Sequence, residues 1–167
     1  IPVHFGGHPC GMNKILEIAK QNKLKVIEDA AHSLPSLYKG KKIGTISDAA
    51  CFSFYATKTL TTGEGGMVTT NKEEISKKVS LQRLHGIRGD AWKRYKNKND
   101  WYYEVVDLGY KYNTTDIQSA LGLIQLDKLE WMTDERKKIA GKYRDAFSGK
   151  VEFIEENSGS ESSWHLF

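Results

Sequence analysis

The chain contains few cysteines, and their spacing argues against both a zinc site and a disulfide framework. Cys10 and Cys51 are the two cysteines among the 167 residues, and they lie far apart. Neither belongs to a C-x-x-C pair, so the sequence predicts no metal site built on thiolates. Isolated thiols are typical of proteins in a reducing compartment, so we expect a cytoplasmic protein.

Long apolar runs and a strong charge of one sign are also missing. No stretch reaches the roughly 18 apolar residues that a membrane span needs, and the amino-terminal residues do not form a signal peptide. Lysine and arginine exceed aspartate and glutamate by 25 to 21, a net charge of +4 that is spread along the chain. The composition therefore predicts neither a membrane partner nor a nucleic-acid partner.

Both ends of the sequence resemble cut edges. The chain begins without methionine, at Ile1 in a strand-like segment, and ends on the apolar and aromatic residues 164–167. Natural termini are usually more polar and less ordered. We therefore expect the chain to be a piece of a longer protein.

Predicted strands and helices alternate along the chain. The predicted strands cover residues 2–5, 24–27, 49–54, 66–69 and 151–154, with a small hairpin at 37–43. Helical spacing of apolar residues predicts helices at 12–21, 72–83, 115–131 and 133–147. This alternation is typical of an α/β fold with a mostly parallel sheet flanked by helices. Ligands of such sheets bind beyond the carboxyl ends of the strands.

The sequence around Lys58 is the strongest indication of a reactive side chain in the chain. It lies five residues after Ser53, where an apolar strand-like stretch ends. A turn containing Gly63, Gly65 and Gly66 follows, and glycine permits the tight backbone turns that such a loop needs. This position is suited to an amine that condenses with an aldehyde.

Asp29 supplies a carboxylate at the end of the preceding apolar strand. An amine and a carboxylate on neighbouring strand ends meet the needs of pyridoxal phosphate, because the amine carries the aldehyde and the carboxylate partners the pyridinium nitrogen. Glu28 is the less expected partner, since side chains alternate along a strand and its own points to the other face. The sequence therefore predicts that Lys58 and Asp29 share a pyridoxal phosphate site.

Five motifs in register extend this prediction to a family. They are PVHFG at 2–6, EDAAH at 28–32, FSFYATK at 52–58, TGEGG at 62–66 and GYKYNTTDIQSALG at 109–122. Together they resemble the DegT/StrS-type nucleotide-sugar aminotransferases, which are fold type I pyridoxal phosphate enzymes. The resemblance implies that residues 1–147 belong to the large cofactor-binding domain and that 148–167 begin the small carboxyl-terminal domain. The form of the motif at 109–113 is similar to the branch that acts on UDP-4-keto-sugars.

The resemblance implies a role for each matched side chain. Lys58 would hold the cofactor and then move a proton, while Asp29 would keep the ring nitrogen protonated. His32 would lie against the cofactor ring, and Ser53 would bind the cofactor phosphate. Each has an ordinary structural alternative: a solvated lysine, a loop-capping aspartate, a core histidine and a serine bonded to backbone.

Two further candidates come from the motif at 109–113. Many relatives read G-x-N-x-R there, and that asparagine reaches the phosphate of the neighbouring subunit's cofactor. In this chain Lys111 stands in the asparagine column and Asn113 in the arginine column, so either is a candidate for the phosphate. Sites that borrow a residue from a neighbour imply a homodimer. Relatives also bind the phosphate at a helix amino terminus that precedes Pro2, so we expect this chain alone to bind the cofactor poorly.

The segment at 85–107 is rich in both aromatic and basic residues. The aromatic members are Trp92, Tyr95, Trp101, Tyr102 and Tyr103, and the basic ones are Arg88, Lys93, Arg94, Lys96 and Lys98. Such a segment is suited to a nucleotide diphosphate, to single-stranded nucleic acid or to a solvated dimer arm. The resemblance favours the sugar nucleotide over nucleic acid.

Two functions of different classes follow. The first is transfer of an amino group, with glutamate the expected donor, to a keto-sugar nucleotide for polysaccharide or deoxyaminosugar biosynthesis. The second is a catalytically silent α/β module that only dimerises. Relatives that dehydrate sugars replace the cofactor-binding lysine with histidine, so Lys58 favours amino transfer.

Overall fold

The computed structural model describes residues 1–88 and 103–167, which form two compact units. The first unit contains Ile1–Asn71 and Thr115–Phe167, and the second contains Lys72–Thr114. Most of the aromatic and basic segment predicted at 85–107 lies outside the described residues. Within the described ranges, no helix is long and apolar enough to cross a membrane.

The described chain contains both helices and strands, in agreement with the predicted α/β class. The first unit contains α1 (Met12–Gln21), β1 (Ile27–Asp29), β2 (Leu37–Tyr38), β3 (Lys41–Lys42), β4 (Ala49–Ser53), β5 (Gly66–Thr69), α3 (Asp116–Asp127), α4 (Leu129–Phe147) and β8 (Ser160–Glu161). The second unit contains α2 (Glu73–Gln82), β6 (Ile87–Arg88) and β7 (Glu104–Val105).

Parallel pairing is found where the site was predicted. The strands β1, β4 and β5 form a three-stranded sheet in the order β1–β4–β5. β1 runs parallel to β4, with Asp29 opposite Cys51, and Val3 makes a further parallel bridge to Asp29. β5 is antiparallel to β4. The carboxyl ends of β1 and β4 therefore meet at one edge of the sheet. The other described strand pairs are antiparallel.

The core of the first unit lies between α1 and the sheet. Met12 and Ala19 are the buried residues of α1, and Ile15 and Leu16 pack against the same cluster. The remaining buried members lie in the sheet and the hairpin or directly next to their strands, and they are Val26, Ala30, Tyr38, Ile43 and Ala50. The apolar spacing of α1 therefore predicts both the helix and the face that it buries.

Three predicted strands differ from the structure. Of the strand predicted at 2–5, Val3 forms an isolated parallel bridge to Asp29, and a 3-10 turn covers Phe5–Gly7. The strand predicted at 24–27 is observed at Ile27–Asp29, because Val26 instead accepts and donates hydrogen bonds with Asp48 at the entry to the sheet. The predicted strand at 151–154 is absent. Phe153 there packs against the Arg144 guanidinium and the Phe167 ring. The pairing strand lies at Ser160–Glu161 and joins β2.

Helix α3 begins with a reciprocal cap. Thr115 Oγ1 accepts a hydrogen bond from the Gln118 backbone N–H at 3.2 Å. The Gln118 side chain in turn accepts from the Thr115 N–H at 2.9 Å. The break between α3 and α4 falls at Lys128, earlier than predicted, and Thr133 lies inside α4, where its hydroxyl bonds the Leu129 carbonyl.

Replacing Thr115 with alanine is expected to lower the free energy of unfolding by about 1 kcal/mol, because a helix amino-terminal N–H loses its acceptor. Chemical denaturation of the two proteins measures this difference. Ser119→Ala is the matched control: Ser119 Oγ donates to the Thr115 carbonyl at 3.0 Å, but in the described structure it is not the acceptor of the N–H that Thr115 Oγ1 caps. An equal loss in both variants would contradict the role of the cap.

Candidate active site

Asp29 ends β1, and backbone hydrogen bonds on both sides fix its position. Its N–H donates to the Pro2 carbonyl at 2.9 Å, and its carbonyl accepts from the His4 N–H at 3.1 Å. The next residue, Ala30, donates to the Cys51 carbonyl at 2.9 Å. The half-buried carboxylate of Asp29 accepts from the Ala31 N–H at 3.1 Å, which is the loop-capping bond. A carboxylate has several acceptor positions, so this bond leaves it able to bind a further donor.

Glu28 lies on the opposite face of β1 and is fully buried. Its carboxylate bonds His4 Nε2 at 2.8 Å and accepts from the Ser47 hydroxyl at 2.6 Å. His4 Nδ1 accepts from the Cys10 N–H, so the ring proton lies on Nε2 and points at Glu28. Burial raises the pKa of Glu28, but these hydrogen bonds outweigh it and hold the pKa below its ordinary value. Glu28 is thus a structural carboxylate beneath the site, as the alternation along the strand predicts.

Lys58 lies in the connection between β4 and β5, and its backbone N–H donates to the Tyr55 carbonyl at 3.0 Å. The next residue, Thr59, is buried, and its hydroxyl donates to the Leu34 carbonyl at 2.6 Å. Leu60 is buried as well. The half-buried lysine is therefore held by a buried anchor directly after it. In the described part of the chain, the Lys58 amine forms no salt bridge.

The glycine-rich turn after Lys58 is closed by hydrogen bonds. Phe54 donates its N–H to the Gly65 carbonyl at 2.8 Å and accepts from the Thr62 N–H at 2.9 Å. A Cβ on Gly65 would lie 2.3 Å from Thr62 Oγ1, so glycine is required there. The Glu64 carbonyl accepts from Thr62 Oγ1 at 2.7 Å and from Gln118 Nε2 at 2.8 Å. The turn is thereby tied to the start of α3.

His32 is within electrostatic reach of both Asp29 and Lys58. Its Nδ1 accepts a hydrogen bond from the Gly6 N–H at 3.2 Å, which requires that this nitrogen carry no proton. Burial lowers the pKa of His32, the Lys58 ammonium lowers it further, and the Asp29 carboxylate opposes both. At neutral pH His32 is therefore an uncharged ring, and both an amine and a carboxylate act on its pKa.

Ser53 lies at the carboxyl end of β4 and is half-buried. Its hydroxyl oxygen accepts from the Tyr55 N–H at 3.3 Å, the backbone bond of its structural alternative. The hydroxyl proton is not used in that bond and can be donated to an anion. Ser53 thus lies at the same edge of the sheet as Asp29, on the neighbouring strand β4.

Lys111 and Asn113 belong to the second unit, and both side chains are exposed. The backbone of Lys111 makes an antiparallel bridge to Leu84. Gly109 packs directly on Gly86, and a Cβ on Gly109 would overlap the Gly86 backbone. This close approach explains the glycine that opens the motif. Any role of the two side chains toward a phosphate stays a prediction.

His165 belongs to the surroundings of His32, although no sequence pattern indicated it. The centroids of the two imidazole rings lie 4.4 Å apart. Burial is the largest cause that lowers the pKa of His165, to about 4, and its neighbours His32, Lys58 and Arg136 lower it further. Ser163, two residues before His165, is separated from His32 by 131 positions in the chain. Only the fold brings it there.

The described side chains match the donor set that pyridoxal phosphate requires. They combine an amine without a salt bridge, a strand-end carboxylate, an uncharged imidazole and a hydroxyl. Within the described ranges, no group of three or more histidine, cysteine or acidic side chains is arranged to hold a metal ion. The arrangement is suited to an amine that attacks a carbonyl carbon beside an anion that stabilises a cationic ring.

The whole chain, residues 1–167, matches the model of the DegT/DnrJ/EryC1/StrS aminotransferase family. The protein belongs to this family. MJ1066 of Methanocaldococcus jannaschii is 54% identical, and the match covers 100% of this chain and 44% of the relative. The spore coat polysaccharide biosynthesis protein SpsC of Bacillus subtilis is 48% identical, over 100% of this chain and 43% of the relative.

Solved structures share the fold. Spr1654 from Streptococcus pneumoniae, in its PMP form, superposes with a TM-score of 0.89 at 31% identity, covering 99% of this chain and 47% of that protein. The same protein was solved in a PLP form. Helicobacter pylori PseC, an aminotransferase involved in the biosynthesis of pseudoaminic acid, gives a TM-score of 0.86 at 32% identity, over 98% and 43% of the two chains. These likenesses confirm the predicted family and fold. The chain spans less than half the length of each of these proteins.

Proposed function

We propose that the protein containing this chain transfers an amino group to a keto-sugar nucleotide and uses pyridoxal phosphate to do so. Family membership and the likeness to structures in PLP and PMP forms support the cofactor. The observation that carries the proposal is that Lys58 and Asp29 both lie close enough to His32 to act on its pKa. Asp29 ends β1, and Lys58 lies in the connection that follows the paired strand β4. An amine and an anion in that arrangement are what the cofactor needs on its two sides.

Pyridoxal phosphate, when bound, supplies an aldehyde and a ring that accepts electrons. Asp29 faces the protonated ring nitrogen in this proposal, and its fixed backbone keeps the carboxylate there. The Lys58 amine would hold the cofactor at this aldehyde. When free, the same amine would move the proton of the donor carbon, a general acid–base role.

His32 and Ser53 are the other residues of this chain that bind the cofactor in this proposal. The uncharged His32 ring packs against the cofactor ring, which avoids a second positive charge beside the pyridinium. Ser53 donates its hydroxyl proton to the cofactor phosphate. Lys111 as a point charge, or Asn113 as an amide donor, reaches the phosphate of a neighbouring subunit, which makes the working protein a homodimer.

The substrate is proposed as a nucleotide-linked keto-sugar, with glutamate as the amino donor. SpsC functions in spore coat polysaccharide biosynthesis and PseC in pseudoaminic acid biosynthesis, and these relatives support a product in surface polysaccharides or deoxyaminosugars. The second candidate is a silent dimerising module. The retained lysine in a closed and well-bonded turn favours the enzyme.

Borohydride reduction tests the proposal directly. The full-length protein, mixed with pyridoxal phosphate, is expected to develop the visible absorbance of a lysine-bound cofactor. Reduction is expected to leave a pyridoxyl group on the peptide that contains Lys58, identified by mass spectrometry. Prior addition of glutamate is expected to remove the absorbance and prevent the trapping.

Two results would contradict the proposal. Absence of the visible band in the intact protein would favour the silent module. A pyridoxyl group on another lysine, with Lys58 unmodified, would remove Lys58 from the cofactor. If the trap succeeds, a screen of keto-sugar nucleotides with glutamate identifies the acceptor.

A further inference from the structure

The end of the first unit packs against His32 through residues 162–166, here called the strap. Ser163 Oγ donates to the His32 carbonyl at 2.7 Å. Further along, the Leu166 N–H donates to the Gly6 carbonyl at 3.1 Å. Ser163 is fully buried, so this end of the strap is also shielded from solvent. The strap is therefore fixed at two points, one on each side of its central residues.

The strap has an unusual backbone conformation directly before His165. Trp164 has a φ of 51°, in the left-handed region that bulky side chains rarely adopt. On the facing segment, Gly7 has a φ of 97°, and a Cβ there would overlap Ser163 Oγ. Conformations of this kind persist only where the surrounding structure enforces them, and they are often found at functional sites. Here the turn brings the next side chain, His165, onto His32.

The His32 ring is held by three contacts. Its Nδ1 accepts from the Gly6 N–H at 3.2 Å, and the Phe5 ring lies with its centroid 5.7 Å away. The His165 ring is the nearer of the two rings, at 4.4 Å between centroids and an interplanar angle of 40°. The hydrogen bond fixes one edge of the imidazole, but a single bond leaves the ring free to tilt about it. The ring contact with His165 restricts that remaining motion.

We propose that His165 is a positioning residue of the cofactor site, which fixes the His32 ring in the orientation that it needs against the cofactor ring. This inference rests on the proposed function, because it takes the cofactor ring as the group that His32 meets. It assigns to the strap a role in the site of the large domain.

The charges around the pair agree with this role. The groups that act on His165 are His32, Lys58 and Arg136, and Asp29 acts on His32. With a pKa lowered to about 4, His165 is uncharged at neutral pH. It therefore supports His32 as a neutral ring, without adding repulsion toward the Lys58 ammonium.

Two substitutions at His165 separate the ring contact from other effects. In the full-length protein, His165→Ala removes the ring, whereas His165→Phe keeps a ring of similar shape without the nitrogens. The dissociation constant for pyridoxal phosphate is measured by fluorescence. Circular dichroism in the visible cofactor band reports how the ring is oriented. We expect His165→Ala to weaken binding roughly three- to tenfold, the range for one aromatic pair, and to change the dichroism. We expect His165→Phe to restore most of both.

A double substitution tests whether His165 acts through His32. In a His32→Gln background, His165→Ala is expected to cause less than a further twofold change in cofactor binding, because the ring that it positions is gone. His8→Ala is the matched control for loosening of the strap, since His8 packs on Trp164 with ring centroids 5.1 Å apart. We expect His8→Ala to leave cofactor binding within twofold of the unmodified protein.

The outcomes distinguish this inference from the proposed function. If the unmodified protein shows no lysine-bound cofactor, the proposed function fails first. If it shows the band, and His165→Ala changes neither the dissociation constant nor the dichroism, the positioning role is wrong. Equal losses in His8→Ala, or additive losses in the His32→Gln background, would also overturn it. Should the alanine variant fail to fold, His165→Leu replaces it, and NMR of the His32 ring protons in the cofactor-free protein must then differ between His165→Leu and His165→Phe.

Discussion

Replacing Lys58 with alanine in the full-length protein is expected to reduce amino transfer by about a thousandfold or more, the range for loss of a positioned general acid–base. The loss has two causes in the proposed mechanism, because the variant has neither the amine that binds the aldehyde nor the base that moves the proton. The variant is still expected to fold. The Lys58 amine forms no salt bridge in the described structure, and the buried anchor of this loop is Thr59.

Single-turnover kinetics with the amino donor measure this loss, since they follow proton transfer without product release. Lys58→Arg is the first control: it keeps the positive charge but cannot carry the aldehyde or release a proton at neutral pH, so we expect it to be as inactive as the alanine variant. Lys41→Ala, on the exposed hairpin strand β3, is the second control and is expected to retain full activity. If Lys58→Ala kept more than a tenth of the activity, another residue would have to supply the base.

Much of the site was predictable because it depends on local sequence. The apolar stretches that end at Asp29 and Ser53 are strands, and parallel pairing of β1 and β4 brings their ends to one edge. The turn after Lys58 needs glycine at position 65, because a Cβ there would overlap Thr62 Oγ1. Alternation along β1 also separates Glu28 from Asp29, although the two carboxylates are adjacent in the chain.

The unpredicted parts depend on contacts between distant segments. β8 consists of a serine and a glutamate, which have little intrinsic strand preference, and its pairing with β2 is imposed by the fold. The apolar residues at 151–154 have a strand-like composition but pack through side chains, with Phe153 on Arg144 and Phe167. His165 reaches His32 only because the strap docks on Gly6 and Gly7. No pattern within a short window contains that information.

The buried carboxylate of Glu28 is expected to make the largest side-chain contribution to stability near the site. Replacing Glu28 with alanine leaves the His4 Nε2–H and the Ser47 hydroxyl without this acceptor and opens a cavity in a fully buried position. An unsatisfied buried donor costs about 1–3 kcal/mol and the cavity adds to that loss, which together are a large part of the 5–15 kcal/mol that stabilises a typical domain. Glu28→Gln keeps the shape and an oxygen acceptor, so we expect a smaller loss.

The pH dependence of stability separates Glu28 from its neighbour. The pKa of Glu28 is below its ordinary value in the folded protein, so its stabilisation is present above the unfolded pKa of about 4.3 and is lost as the pH falls through the folded pKa. Urea denaturation of the full-length protein at pH 7, compared with pH 3 to 4, is expected to show this loss in the unmodified protein and a smaller one in Glu28→Gln. Asp29→Asn is the control: it lies on the other face, so we expect it to lower amino transfer and leave most of the stability. Two results would contradict the assignment of Glu28 to stability and Asp29 to the cofactor site. One is a loss of less than about 1 kcal/mol in Glu28→Ala at pH 7. The other is an equal loss of stability in Asp29→Asn and Glu28→Ala.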